Sequence, residues 1–177
     1  MPAIYTTEWY DAVREAINAR VAGAKGVPEG AWTCRVEITG DGASPYVQRD
    51  AERHFLVRIE NGLCSWYREV DPGDEAVVLD YRFRGPATVF DAIAAGIDDP
   101  VDAALRGAVK VRGDMRFLMR QAELVKTLLD AYATAVDTTW PQGRPPYGGG
   151  AEGIASASGS GDAGGGLSGG DEGSGNA

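Results

Sequence analysis

A chain of 177 residues with one histidine has a short list of chemistries open to it. Any Ser-His-acid triad or Cys-His pair would have to use His54. Phe55, Val57 and Ile59 alternate with it, so His54 is predicted to face solvent beside Arg53, with no partner for acid–base work. Cys34 and Cys64 fit no metal-ligand spacing and no disulfide framework, and read as reduced core thiols of a cytoplasmic protein. The carboxylate pairs Asp71/Asp74 and Asp98/Asp99 fall in turns and helix starts, where capping accounts for them. No glycine-rich loop joins a strand to a helix with phosphate-binding spacing, and no short span offers three metal ligands. Catalytic residues, metal and cofactor are therefore all expected to be none. Tyr81, predicted inward, is the one modest candidate for an enzyme acting on an apolar substrate; a hydroxyl satisfied in the core explains it equally well.

Apolar surface is what the sequence supplies in excess. Trp32, Val36, Ile38, Phe55, Val57, Ile59, Trp66, Leu79, Tyr81 and Phe83 fall on one face of the predicted strands. Phe90, Ile93, Leu105, Met115, Phe117, Leu118, Met119, Leu124 and Leu128 come from helices. Met115 and Met119, four apart, suit adaptable core filling or the wall of a plastic pocket. Periodicity does not separate a filled core from one enclosing a lipid.

The elements that must position these faces are readable. Trp9, Val13, Ile17 and Val21 recur every four residues and predict a helix over 7–22. Residues 32–39 alternate, predicting a strand with Thr33, Arg35, Glu37 and Thr39 on a wet face. Asn61-Gly62 predicts a two-residue hairpin turn between strands 54–60 and 63–70, pairing Ile59 with Cys64, Val57 with Trp66 and Phe55 with Arg68. Val77, Leu79, Tyr81 and Phe83 predict a fourth strand. Pro86 and Asp99-Pro100 open two short helices, Ala108–Arg112 is a fifth strand, and Asp114 caps a long helix to about Val136. The order predicts an α+β fold with helices packed on one face of a mainly antiparallel sheet.

Composition divides the chain. Thirteen of its 25 glycines fall in residues 148–177 with five serines and no aromatic, too little apolar surface to offset the entropy of ordering. The expected organisation is one domain, 1–137, and a disordered Gly/Ser-rich acidic tail, 138–177. The net charge of −9 argues against nucleic acid as a partner. No secretory signal, membrane-spanning run or peroxisomal address is read from the sequence. Between Arg106 and Lys126, however, six bases stand against two acids. Arg106, Lys110, Arg112, Arg116 and Arg120 could there meet an anionic membrane.

From Phe90 to Leu128 the chain resembles the sterol-carrier-protein family. Phe90-Asp91-Ala92-Ile93-Ala94-Ala95-Gly96 looks like that family's first short helix and its glycine stop. Asp99-Pro100 to Leu105-Arg106-Gly107 looks like the second, and Ala108 to Gly113-Asp114 like the last strand and the turn into the final helix. With the Asn61-Gly62 hairpin and the Trp32–Ile38 strand, the resemblance covers about residues 5–137. It implies a five-stranded sheet with helices on one side, an apolar tunnel between them, and binding of fatty acyl chains, acyl-CoA, phospholipids or sterols without catalysis. It also implies that Cys34 and Cys64 lie two strands apart, too far for a disulfide. Carried over residue by residue, the tunnel wall would include Phe90, Ile93, Leu105, Val111, Met115, Leu118, Met119 and Leu128. The expected function is thus binding, with transfer as an extension of it, of a lipid ligand by a cytoplasmic protein. The alternative is a protein-interaction or scaffold module whose tail tethers it to a protein partner.

Overall fold

The computed structural model describes residues 1–148, apart from Ala76 and Ala135; residues 149–177 of the expected tail lie outside the described residues. Helix α1 spans Thr7–Val21. The Thr6 hydroxyl accepts from the Trp9 N–H at its start, and Trp9, Tyr10, Val13, Ile17 and Val21 are buried along one stripe. The strands are β1 (Ala31–Thr39), β2 (Glu52–Glu60), β3 (Leu63–Val70), β4 (Tyr81–Pro86) and β5 (Lys110–Arg112). They form one sheet in the order β3-β2-β1-β4-β5, antiparallel throughout except for the parallel pair β1–β4. Helices α2 (Ala87–Ala94) and α3 (Pro100–Leu105) follow β4. The expected long last helix is two, α4 (Met115–Arg120) and α5 (Ala122–Thr134). The fold is α+β, as the sequence pattern predicts.

Where α4 ends, Gln121 leaves helical geometry at φ −104° and ψ 25°. The break frees α4 from the axis of α5. Phe117 stacks on Trp32 of β1 at 5.0 Å between ring centroids. Tyr132 of α5 meets Trp9 of α1 edge to face at 5.5 Å. Asp99 and Asp114 cap α3 and α4 through backbone N–H groups, as their positions predict.

Topology explains three departures. Strand β3 is an edge and β4 lies beyond β1, so the connection between them must cross both β2 and β1. The described residues between 71 and 80 make that crossing on the face away from the helices. Asp80 accepts from the Thr33 N–H at 2.7 Å, its own N–H donates to the Thr33 carbonyl, and Arg35 donates to the Asp74 carbonyl. The expected strand from Val77 therefore begins only at Tyr81. The face of β1 expected to be wet is instead covered: Thr33, Arg35 and Glu37 are buried, and so is Leu56 of β2. His54, expected in solvent, is buried there too, with Nε2 2.8 Å from Glu52 Oε2 and Nδ1 without a partner among the described residues.

The hairpin keeps its turn but not its expected register. Ile59 pairs with Cys64, after which a bulge beside Arg58 shifts the ladder, so Val57 opposes Tyr67 and Phe55 opposes Glu69. One extra residue exchanges the two faces beyond it. Trp66 consequently pairs with Arg58, away from the core, with the Arg68 guanidinium 4.7 Å from its ring. Tyr67 takes the inward place, 4.8 Å from Tyr10 and 6.1 Å from Phe55.

Residues 138–148 run back over the domain. The Thr138 hydroxyl accepts from the Trp9 indole at 2.9 Å, Thr139 bridges to Ala3 through the backbone, and Trp140 meets Tyr46 edge to face.

Candidate functional site

The helix-covered side of the sheet has two halves. Under α1 it is solid: Trp9, Val13, Phe55, Tyr10, Tyr5, Ile17 and Cys64 are buried, and Tyr5 stacks on Phe55 at 6.0 Å. Beside α4 and α5 it is loosely covered. Trp32 and Val36 of β1, Phe83 of β4, Val111 of β5, and Leu118, Leu124 and Leu128 above them are all half-buried. No residue of α4 is buried, and of α5 only Ala131 is.

The eight residues of the expected tunnel wall distribute unevenly over this looser half. Phe90 and Ile93 on α2 are buried in the core cluster, and Val111 and Leu128 pack against it. Leu118 is half-buried. Leu105 and Met119, by contrast, are 80% and 76% exposed, and Met115 is 46% exposed. These three stand on α3 and α4 as exposed apolar side chains, as do Ile97 before α3 and Val101 on it.

Two buried polar groups bear on catalysis. Tyr81 is buried, and its hydroxyl donates to the Asp114 carbonyl at 3.3 Å, which satisfies it. Asp91 of α2, missed by the sequence reading, is wholly buried and accepts from Tyr5 Oη at 2.5 Å and Ser44 Oγ at 2.6 Å. Burial raises its carboxyl above the usual carboxylate range, and the two hydroxyls oppose that shift. Its position among Phe90, Ala92, Ile93 and Ala94, an acid inside an apolar helical run, was the available signal. Asp91 ties the segment before α1 and the β1–β2 loop to α2. It also holds Tyr5, whose φ of 61° is left-handed, a conformation costly for a bulky residue. Both cysteines are free; burial pushes the Cys34 thiol up to about 12 and the Cys64 thiol up to about 11.

On the opposite, strap-covered side, β4 and β5 carry a different surface. Arg82 opposes Arg112, and Arg84 opposes Lys110. With the buried Glu37 these four bases line a concavity of about 340 Å³. A second, of about 580 Å³, lies at the β2–β3 end among Glu52, Arg53, Arg68, Glu69, Val70, Asp71, Pro72 and Asp74. None of the eight expected wall residues lines either one.

Comparison with solved structures decides the architecture. A conserved hypothetical protein from Thermus thermophilus, named as a candidate sterol carrier protein, superposes with a TM-score of 0.61 at 15% identity, over 80% of this chain and 94% of that one. A crystal structure of sterol carrier protein 2 superposes with a TM-score of 0.59 at 15% identity, over 74% of this chain and 98% of that one. This is the sterol-carrier fold. No family model matches the sequence, and no curated protein matches it. Low identity means that the sterol-carrier fold is kept here by pattern more than by residue: the Asn-Gly hairpin, the Asp-Pro helix start and the Gly113-Asp114 turn all sit where the resemblance places them. Within this sterol-carrier fold no described helix is long and apolar enough to cross a membrane.

Proposed function

We propose that this protein binds a lipid with a single acyl chain or a fused-ring body, without catalysing its conversion, in the looser half of the helix–sheet interface. The reading rests on one observation: apolar side chains of β1, β4, β5 and α5 pack around one cluster yet remain half-buried, as does Phe117 of α4, which stacks on Trp32. An acyl chain drawn between them would remove that surface from water. At about 25 cal/mol per Å², a few hundred Å² of ligand surface contributes several kcal/mol with no specific chemistry. The name of one structural neighbour, a sterol carrier protein, agrees with such a ligand.

In this reading Phe90, Ile93, Val111, Leu118 and Leu128 form the inner wall. Leu105, Met115 and Met119 act at the mouth, closing over the ligand or meeting the bilayer from which it comes. Arg116 and Arg120 interleave with the two methionines along α4, a pairing of apolar and basic groups suited to an anionic lipid surface. Arg106 is less available for such contact because Asp98 pairs with it, and Lys126 is held by Asp130 at 3.1 Å.

The test is direct. Purified protein is extracted with organic solvent and the extract searched for lipid by mass spectrometry, and a fluorescent fatty acid is titrated into delipidated protein. Saturable binding reversed by unlabelled fatty acid is expected. A lipid-free extract together with no probe binding overturns the reading.

A further inference from the structure

The surface away from the proposed lipid site carries the stronger electrostatic signal. Like charges set directly opposite one another on antiparallel strands are destabilising, yet β4 and β5 place two such pairs side by side, Arg82 with Arg112 and Arg84 with Lys110. They do so in a protein whose net charge is −9, where acids to neutralise them are plentiful. The acids present hold only half of the cluster. Glu37, almost wholly buried, reaches Arg82 Nε at 3.3 Å and Arg84 Nη1 at 3.0 Å. Glu52 makes a second pair with Arg84 and is itself drawn below the usual carboxylate range, chiefly by that arginine. Both guanidinium groups are thereby oriented. No acid among the described residues lies within ion-pair distance of Lys110 or Arg112.

We infer that the concavity formed by Arg82, Arg84, Lys110 and Arg112 is a binding site for a phosphorylated ligand, one presenting a phosphate monoester or pyrophosphate group. Two tethered arginines present donors in fixed directions, which suits the several acceptor oxygens of phosphate. Lys110 and Arg112 supply the charge that a dianion needs. The volume of about 340 Å³ exceeds that of a bare oxyanion and lies at the small end of small-molecule sites, leaving room for an organic substituent. Polar walls suit a charged group and not an acyl chain, so this site is separate from the lipid site and stands whether or not that reading holds.

Inorganic pyrophosphate is the probe. The full chain is titrated calorimetrically with pyrophosphate at constant ionic strength, with sodium chloride as the control. Saturable binding at one site per chain is expected. The pair Lys110→Gln and Arg112→Gln together should weaken it by about tenfold or more, the loss expected for charge-assisted hydrogen bonds. Both side chains are exposed, and the double variant should melt at the wild-type temperature or slightly above it without ligand. Arg116→Gln with Arg120→Gln, on α4, should leave pyrophosphate affinity unchanged. A second arm uses vesicles containing phosphatidic acid. Recruitment that pyrophosphate blocks identifies a lipid headgroup as the source of the phosphate; pyrophosphate binding without recruitment identifies a soluble ester. The inference is overturned by absence of saturable binding, as for an edge strand merely guarded by charge, or by equal weakening in the two double variants, which would mean diffuse attraction.

Discussion

Under α1, Trp9 and Phe55 have no exposed surface, whereas beside α4 and α5 Trp32 and Phe83 stay half-buried. The residue types in the two regions are alike. The difference lies in what covers them. Helix α1 is a continuous helix of 15 residues whose buried stripe runs its whole length. The cover on the other side is broken into pieces, two of them six residues long. Short helices with a non-helical residue between them cannot present a continuous stripe, and such regions belong to the low-stability end of a fold. A sheet can thus be rigid at one end and adaptable at the other with the same side-chain inventory.

The widest gap between the halves should appear on truncation. Phe55→Ala is expected to lose about 3–5 kcal/mol, a large aromatic removed from a filled core. Leu128→Ala should lose only about 1–2 kcal/mol, because part of its surface is already wet. Urea denaturation measures both, and equal losses would erase the contrast.

Asp91 sharpens the comparison from the solid side. Asp91→Ala leaves the Tyr5 and Ser44 hydroxyls buried without their acceptor and should cost about 2–3 kcal/mol. Its raised carboxyl also makes a signed pH prediction. The native state holds this proton at pH values where the unfolded chain has released it, so stability falls as pH rises from the unfolded value, 3.8, through the raised native one. Asp41 is the opposite case. Although desolvation acts to raise it, hydrogen bonds from Thr88, Ser44 and Ala43 outweigh that and bring its carboxyl down to about 2. Its contribution is present above 3.8 and lost as pH falls through about 2. Melts of Asp91→Asn and Asp41→Asn across the acid range should therefore diverge from wild type in opposite directions.

A smaller structural effect with a large functional one is expected for Leu128→Trp. Filling the looser half should weaken fatty-acid probe binding by about tenfold or more while the melting temperature stays close to wild type. A clear drop in stability with unchanged binding would place the ligand elsewhere. The slightest change should come from thiol labelling. With Cys34 up to about 12 and Cys64 up to about 11, about one thiol in a thousand or fewer is ionised at about pH 8, so both should resist a thiol reagent until urea is added.

Much of the fold was legible because its signals are local. Four-residue spacing set α1, Asn61-Gly62 set the hairpin turn, and Asp99 and Asp114 marked helix starts with side chains that do cap them. What failed depends on distant chain. Alternation correctly separated the two faces of β1 but could not say that the strap of residues 71–80 would bury the polar one. The bulge beside Arg58 leaves no mark in hydrophobicity, since Trp66 and Tyr67 are both plausible core residues. The basic concavity was half-seen: Lys110 and Arg112 were noticed as members of a charged run, while their true neighbours, Arg82 and Arg84, come from a strand on the far side of α2 and α3 in the chain. Leu105 and Met119 show the same gap at the proposed lipid site, since helical spacing says nothing of which short helix stands clear of the sheet.

The bridge between Ala3 and Thr139 has a topological consequence. Residues 3 and 139 lie side by side, so the path between them is close to a closed ring. A circular permutant that joins these two points through a short linker and opens at the exposed turn of Gly23 to Gly26 should keep every strand of the sheet in place. Anything fused ahead of residue 3 would leave the domain beside residue 139, where the chain continues over Tyr46 and Ala95.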